Sequence, residues 1–296
     1  MDLSKAKTLL IVTFLFLNIF LVSQILLDEG RGNLASFGRN EEMSRLETAL
    51  QEAGISLDVS LPRGGLRIAH LIVEPWRFQP EDIIYELWSV LEKDETEVPP
   101  IYEEYDSIAN DENLRIVTYL FGDYTLVERK EGSLNLRALE EGSLLQTNSI
   151  EELQNSAQKF LNDFSFLNNF IYDYAQISQK GPILNYRQEY EEFPLYAGYL
   201  QLYMHELNPA GFYLYRLDPI GFAEQKREII PPSTALVRFL ETYNKSNFKT
   251  SIIEFSLGYY SQEYDAERWE IPPVWRIRLN NGEVYYVNAF TGNLER

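Results

Sequence analysis

Side chains able to do chemistry are sparse in this sequence. Its 296 residues include two histidines and no cysteine. The lack of cysteine rules out disulfides, thiolate nucleophiles and thiolate-held metals. His70 and His205 each fall in a run that reads as a strand, with no H-E-x-x-H and no third ligand at a recognisable spacing. Both are therefore assigned structural roles, and no metal is expected. No G-x-S-x-G is present to raise a nucleophilic serine, and no G-x-x-x-x-G-K-[ST] or G-x-G-x-x-G to cradle a phosphate. Carboxylates are abundant, at 45 Asp and Glu against 26 Lys and Arg. A glycan hydrolase needs two of them at a defined separation with one pKa raised, and linear spacing does not specify that. Glu103, Glu104 and Asp106 read as a solvated acidic loop, with a loose Ca²⁺ site as the minority reading. The chain is read as a non-enzyme, with no catalytic residue, no metal and no cofactor assigned.

The strongest local signal is physical. Thr8 to Leu27 is twenty residues without a charge. At ~1.5 Å per residue such a helix covers the ~30 Å hydrocarbon core of a bilayer. Lys5 and Lys7 precede it and Asp28 and Glu29 follow, so residues 1–7 are expected in the cytoplasm and residues 28–296 outside. A cleaved signal peptide has a shorter apolar run, ~7–15 residues, and a pair of small residues at its end. Leu21 to Ile25 offers no such pair, so a retained single-pass anchor in the cell membrane is expected. Asn18 is the polar side chain near its middle. An amide in hydrocarbon seeks a partner, worth ~0.6 to ~2 kcal/mol between helices. Ile11, Phe14, Leu15, Val22 and Ile25 share its face, which makes these six residues the candidate contact with another transmembrane helix. The formal charge of -19 would repel nucleic acid, so none is expected as a partner.

Outside the anchor the pattern is α+β, with helices packed on antiparallel sheets in two domains. Residues 28–40 read as a juxtamembrane linker, 41–146 as a first extracytoplasmic domain and 147–296 as a second. The first holds a helix from Glu41 to Ala53, strands at Ile55–Leu61 and Leu66–Glu74, and a helix near Glu81–Leu91. An acidic loop follows at Asp94–Asp111, then a hairpin of Leu114–Phe121 with Tyr124–Arg129; Leu134–Leu145 is ambiguous. The second opens with an S-x-x-E capping box at Ser149 and Glu152, and its helix is expected to run to about Phe170. Four strands then lead to a second helix, Thr234 to Tyr243, started by Pro231-Pro232-Ser233, with a turn at Asn208-Pro209-Ala210-Gly211 between the last pair of strands. A closing hairpin turns at Asn280-Asn281-Gly282. The order of helix, strand and hairpin occurs twice, from Ser149 and from Ser233, which suggests two similar helix-plus-antiparallel-sheet units.

Three stretches together carry a family resemblance. They are MDLSKAKTLLIVTFLFLNIFL at the start, YRQEYEEFPLYAGYLQLYM (Tyr186–Met204) in the middle, and IIEFSLGYYSQEYDAERWEIPPVWRIRLNNGEVYYVNAFTGNLE at the end. In this order they resemble the YycI-type regulators of the WalK/WalR (YycG/YycF) two-component system of low-GC Gram-positive bacteria. The resemblance implies a heterodimer with a YycH-like protein and modulation of a WalK-type sensor histidine kinase; it names no catalytic residue. The last hairpin also resembles a PepSY-type hairpin, and Pro273, Trp275, Tyr285, Tyr286 and Gly292 are its signature residues. Trp275, Tyr285 and Tyr286 are expected mainly in a core. Two other functions stay open: a PepSY-like inhibitor or chaperone of a secreted protease, which would need an exposed edge on that hairpin, and a cell-envelope hydrolase.

Overall fold

The computed structural model describes residues 43–44, 46–62, 64–91, 102–105, 116–121, 124–129, 132–138, 149–178, 180–243, 250–262, 264 and 266–295. The expected anchor at 8–27, with Ile11, Phe14, Leu15, Asn18, Val22 and Ile25, lies outside the described residues, as does the linker. None of the described helices is long and apolar enough to cross a membrane.

In chain order the elements begin with helix α1 (46–53), then strands β1 (Ile55–Leu57), β2 (Arg67–Ile68) and β3 (Leu71–Pro75). Helix α2 (Pro80–Leu91) follows, then β4 (Tyr102–Tyr105), β5 (Ile116–Phe121), β6 (Tyr124–Arg129) and β7 (Leu134–Ala138). Helix α3 (Ile150–Asn162) and a 3-10 turn (Ser165–Leu167) lead into β8 (Ile171–Ser178), β9 (Gly181–Tyr190), β10 (Phe193–His205), β11 (Asn208–Tyr215), β12 (Leu217–Phe222) and β13 (Arg227–Glu228). The chain closes with helix α4 (Pro232–Thr242), then β14 (Thr250–Tyr259), β15 (Trp269–Ile271), β16 (Pro273–Leu279), β17 (Val284–Asn288) and β18 (Leu294–Glu295).

Thirteen of these strands form one sheet, whose main path runs β18-β17-β16-β14-β10-β11-β7-β6-β5-β4. Strand β9 also pairs with β10, β8 with β9, and β1 with β14. The fold is α+β, as the patterning implies, but the sheet is mixed. β1 lies parallel to β14, and β10 meets β14 in parallel at the pair Leu195–Tyr259. Near residue 146 the sheet is continuous: β7 on one side pairs with β11 on the other. A smaller sheet of β12, β3 and β15 collects strands from distant parts of the chain, and β13 pairs with β2.

Successive residues of a strand point to opposite faces, and β10 uses both. Leu195 and Ala197 enter one core, with α1 (Leu46, Leu50), α4 (Leu236, Phe239), the small sheet (Leu71, Val73, Ile271) and the C-terminal hairpin (Trp275, Ile277). Leu200, Leu202 and Met204 enter the other, with α2 (Ile84, Leu87), α3 (Leu153, Ala157, Leu161) and Phe166 of the 3-10 turn. One long strand is thus the shared wall of two cores.

The helix at Ser149 starts as expected. The Ser149 hydroxyl accepts from Glu152 N at 3.2 Å, and the Glu152 carboxylate accepts from Ser149 N at 3.1 Å. It ends at Asn162 rather than near Phe170. The cause is tertiary: Ser165 N donates to the Glu86 carboxylate of α2 instead of to a carbonyl one turn back, and Ser165 Oγ donates to it as well. Three other expectations are corrected. The β10–β11 turn falls at Glu206 and Leu207, with Glu206 in the left-handed region at φ 53, while Asn208 to Gly211 belong to β11. Gly211 serves a close approach, since a Cβ there would lie 2.3 Å from Leu136 O on the neighbouring strand. The expected strand Ile55–Leu61 keeps three residues. The acidic loop contains β4, an edge strand beside β5, and an edge tolerates charge where a central strand does not.

Candidate functional site

The C-terminal hairpin carries most of the signature residues, and its alternation sorts them. On β16, Trp275 and Ile277 point into the first core and are fully buried. Trp275 stacks on Phe255 at 5.3 Å and donates from Nε1 to Ile230 O at 3.0 Å. Tyr285 lies opposite Ile277 and meets Phe239 of α4 edge-on at 4.9 Å. Its hydroxyl pKa is pushed up to about 12, chiefly by burial and then by the Glu283 carboxylate it donates to. Pro273 closes the strand by accepting from Ala289 N. Gly292 takes φ +78 in a loop that Asn288 organises by accepting from Phe290 N and Thr291 N. These residues hold structure.

Tyr286 faces the other way. It lies opposite Arg276, and around that arginine the structure gathers a polar cluster from five strands, β8, β10, β14, β16 and β17. Arg276 is 1 % exposed. Its two Nη atoms grip the Asp173 carboxylate of β8, each at 2.8 Å, and Nη1 also donates to Glu254 at 3.2 Å. Arg278 Nε donates to the other Glu254 oxygen at 2.8 Å. Ser256 Oγ donates to Glu254 as well, and lies 2.8 Å from the Tyr196 hydroxyl. The Arg276 guanidinium sits over the Tyr196 ring at 4.5 Å and the Tyr174 ring at 5.5 Å. Tyr286 stacks on Tyr260 at 3.8 Å and meets Tyr196 at 5.5 Å. Arg276 Nε has no hydrogen-bond partner among the described residues.

This cluster reports the shape of the sheet. Strands β8 and β16 are four neighbours apart through β9, β10 and β14. A flat sheet, at about 4.8 Å per strand, would separate them by about 19 Å. Direct contact between Asp173 and Arg276 requires the sheet to roll, with the cluster on its concave side. A bulge between Tyr172 and Tyr174 leaves Asp173 as the extra residue of β8, consistent with its turning inward.

The electrostatics set what the cluster can do. Burial works to raise the Glu254 pKa, but Arg276 and the hydrogen bonds from Arg278 and Ser256 outweigh it and hold the carboxyl below its ordinary value. A hydrolytic general acid needs the opposite shift. Burial raises the hydroxyl pKa of Tyr174, Tyr196 and Tyr286 despite Arg276 beside them, so they stay neutral hydrogen-bonding groups. No group of three His, Asp or Glu able to hold a metal occurs among the described residues. His205 ends β10 of the large sheet, whereas His70, expected in a strand, lies in the link between β2 and β3, with Nδ1 3.7 Å from Glu270.

Asp173, Glu254, Arg276 and Tyr196 were not among the residues singled out by sequence. One signal was available for Arg276: Trp275, Arg276, Ile277 and Arg278 alternate apolar and basic, so two guanidiniums share a face with Tyr286. Nothing local connects that face to Asp173.

A family model described as YycI protein matches residues 38–290. No curated protein matches. Among solved structures, the chain is similar to an uncharacterized protein from Eubacterium rectale at 14% identity, over 82% of this chain and 89% of that one, with a TM-score of 0.50. A second likeness is to the Bacillus megaterium YpeB C-terminal domain, at 14% identity over 75% of this chain and 97% of that one, with a TM-score of 0.43.

Proposed function

This chain belongs to the YycI family, and from that premise we propose that it is a non-enzymatic, membrane-anchored regulator that acts on a WalK-type sensor histidine kinase by contact alone. The YycI family is a regulatory, non-catalytic one associated with the WalK/WalR system. The supporting observation in the structure is the cluster just described: the carboxylates of Asp173 and Glu254 are both committed to Arg276, and Glu254 is held ionised. A protein without a catalytic set can change a kinase only through differential binding to its states.

In this reading residues 8–27 span the bilayer, 28–296 lie outside, and a YycH-like protein is the heterodimer partner. The face of Ile11, Phe14, Leu15, Asn18, Val22 and Ile25 packs on a transmembrane helix of the kinase or of that partner. A coupling of only ~1–3 kcal/mol changes activity several-fold or more. The test replaces residues 8–27 with an unrelated anchor of equal length. Loss of kinase regulation, with the outer complex still captured by crosslinking from membranes, is the expected result. Unchanged regulation would reduce the anchor to a tether and move the mechanism into 28–296. The protease-inhibitor alternative asks for an open edge on β17, but β18 pairs there with Tyr286 and Val287.

A further inference from the structure

The two helix-plus-sheet units, β8–β11 with α3 and β14–β18 with α4, meet along a seam with unlike faces. In the ladder the seam is thin: β10 and β14 share the pair Leu195–Tyr259. On one face the seam is apolar and crossed by the N-terminal part of the chain. Leu195, Tyr215 and Leu217 pack in one core with Phe255, Tyr259 and Trp275, and Tyr259 donates to Ala69 O at 2.8 Å. On the other face the crossing contacts are polar. They are the Asp173–Arg276 pair, the Tyr196–Ser256 hydrogen bond and the packing of Tyr196 on Arg276 and Tyr286.

Three features make the polar side the one that can part. The strand that supplies Asp173 has no fully buried residue; β8 is half-exposed or exposed along its length, with Ile177 78 % exposed. Moving it exposes little further apolar surface to water. The charge network is also incompletely satisfied at Arg276 Nε. A buried ion pair loses much of its Coulomb gain to desolvation, and a missing hydrogen bond deepens that loss. Its broken form is therefore closer in free energy than that of an apolar seam of the same size. Finally, Gly258 lets the units approach closely without an interlocking side chain: a Cβ there would lie 2.6 Å from Pro194 O and 2.5 Å from the Tyr196 ring.

The geometry points to a latched hinge: the units pivot about the apolar side at Leu195–Tyr259, and the Asp173–Arg276 contact holds the concave, polar side closed. Opening releases Arg276 from Asp173 and leaves Arg276 and Arg278 facing Glu254 alone. In a chain of net charge -19 that is a local cationic, tyrosine-lined surface available in one state and withdrawn in the other.

The native absence of cysteine makes the test direct. Spin labels are placed on the full chain in detergent at Ile177→Cys on β8 and Glu283→Cys beside the β16–β17 turn. With Asp173 intact, one narrow distance distribution is expected. With Asp173→Asn added, a second, longer population appears. In the same samples hydrogen exchange of residues 171–178 and 254–259 speeds up on the order of tenfold, while 150–162 in α3 is unchanged. An unchanged distribution overturns the latch. So does a uniform loss of protection that includes α3, because the pair would then be a general tie of the fold. Should Asp173→Asn not fold, Tyr196→Phe removes only the hydrogen bond to Ser256. It must give a smaller long-distance population, and its absence overturns the proposal equally.

Discussion

The side chain of Gln188 pairs with Leu217 as a second peptide group would: its Oε1 accepts from Leu217 N and its Nε2 donates to Leu217 O, both at 2.9 Å. Gln188 is on β9 and Leu217 opens β12, so one buried amide ties the large sheet to the small one. The route crosses Gly198, where any Cβ would fall 1.7 Å from Gln188 Oε1.

Replacing Gln188 with leucine should therefore destabilise well beyond a surface change. It strands a buried N–H and a buried C=O, at ~1–3 kcal/mol each. Gly198→Ala should do comparable harm by displacing the same amide. The two effects act on one interaction, so the double variant should lose less than the sum, as read from urea midpoints in a double-mutant cycle.

Acid should weaken the concave side of the sheet through Glu254. Its carboxyl is held below the ordinary glutamate value in the folded chain, although burial pulls the other way. A depressed folded pKa gives stability that is present above the unfolded pKa and lost as pH falls through the folded one. Urea stability should fall below about pH 4.5, and Glu254→Gln should flatten that acid limb relative to the parent. An unaltered acid limb in the variant would remove Glu254 from the account.

Ser149→Ala removes the hydroxyl from a complete capping box and should cost ~0.5–2 kcal/mol. Ser149→Asp, which keeps an acceptor at the same place, should restore most of it. Thermal unfolding followed by circular dichroism separates these outcomes.

For topology, protease added to intact protoplasts should digest the region beyond residue 28 and leave the cytoplasmic proteins whole. Protection of that region would reverse the orientation proposed from Lys5 and Lys7 against Asp28 and Glu29.

How much of this was legible in the sequence depended on distance along the chain. The capping box was readable because Ser149 and Glu152 are one turn apart. The last hairpin was readable because two strand-forming runs, Val274–Leu279 and Val284–Phe290, flank an Asn-Gly turn, and Gly282 does take a positive φ. The end of α3 was not, since Glu86 decides it from another helix. The turn residues Asn208 to Gly211 misled because Gly211 answers to the Leu136 carbonyl of a neighbouring strand rather than to a turn. Asp173 and Arg276 meet only because the sheet rolls, and no periodicity in β8 or β16 contains that curvature.

The parallel pairing of β1 with β14 has a consequence for how the chain acquires its shape. Ile55 pairs with Thr250, across most of the chain, so the first strand waits for one of the last. The cost of closing so large a loop is met before any contact rewards it, and such topologies fold slowly. A chain made from its N-terminus carries α1 and β1 without their partners until β14 follows. Their apolar faces, including Leu46, Leu50 and Ile55, are exposed for that interval. Chaperone dependence during synthesis should therefore fall on residues 46–57, and a circular permutant that places them after residue 295 should fold faster than the parent.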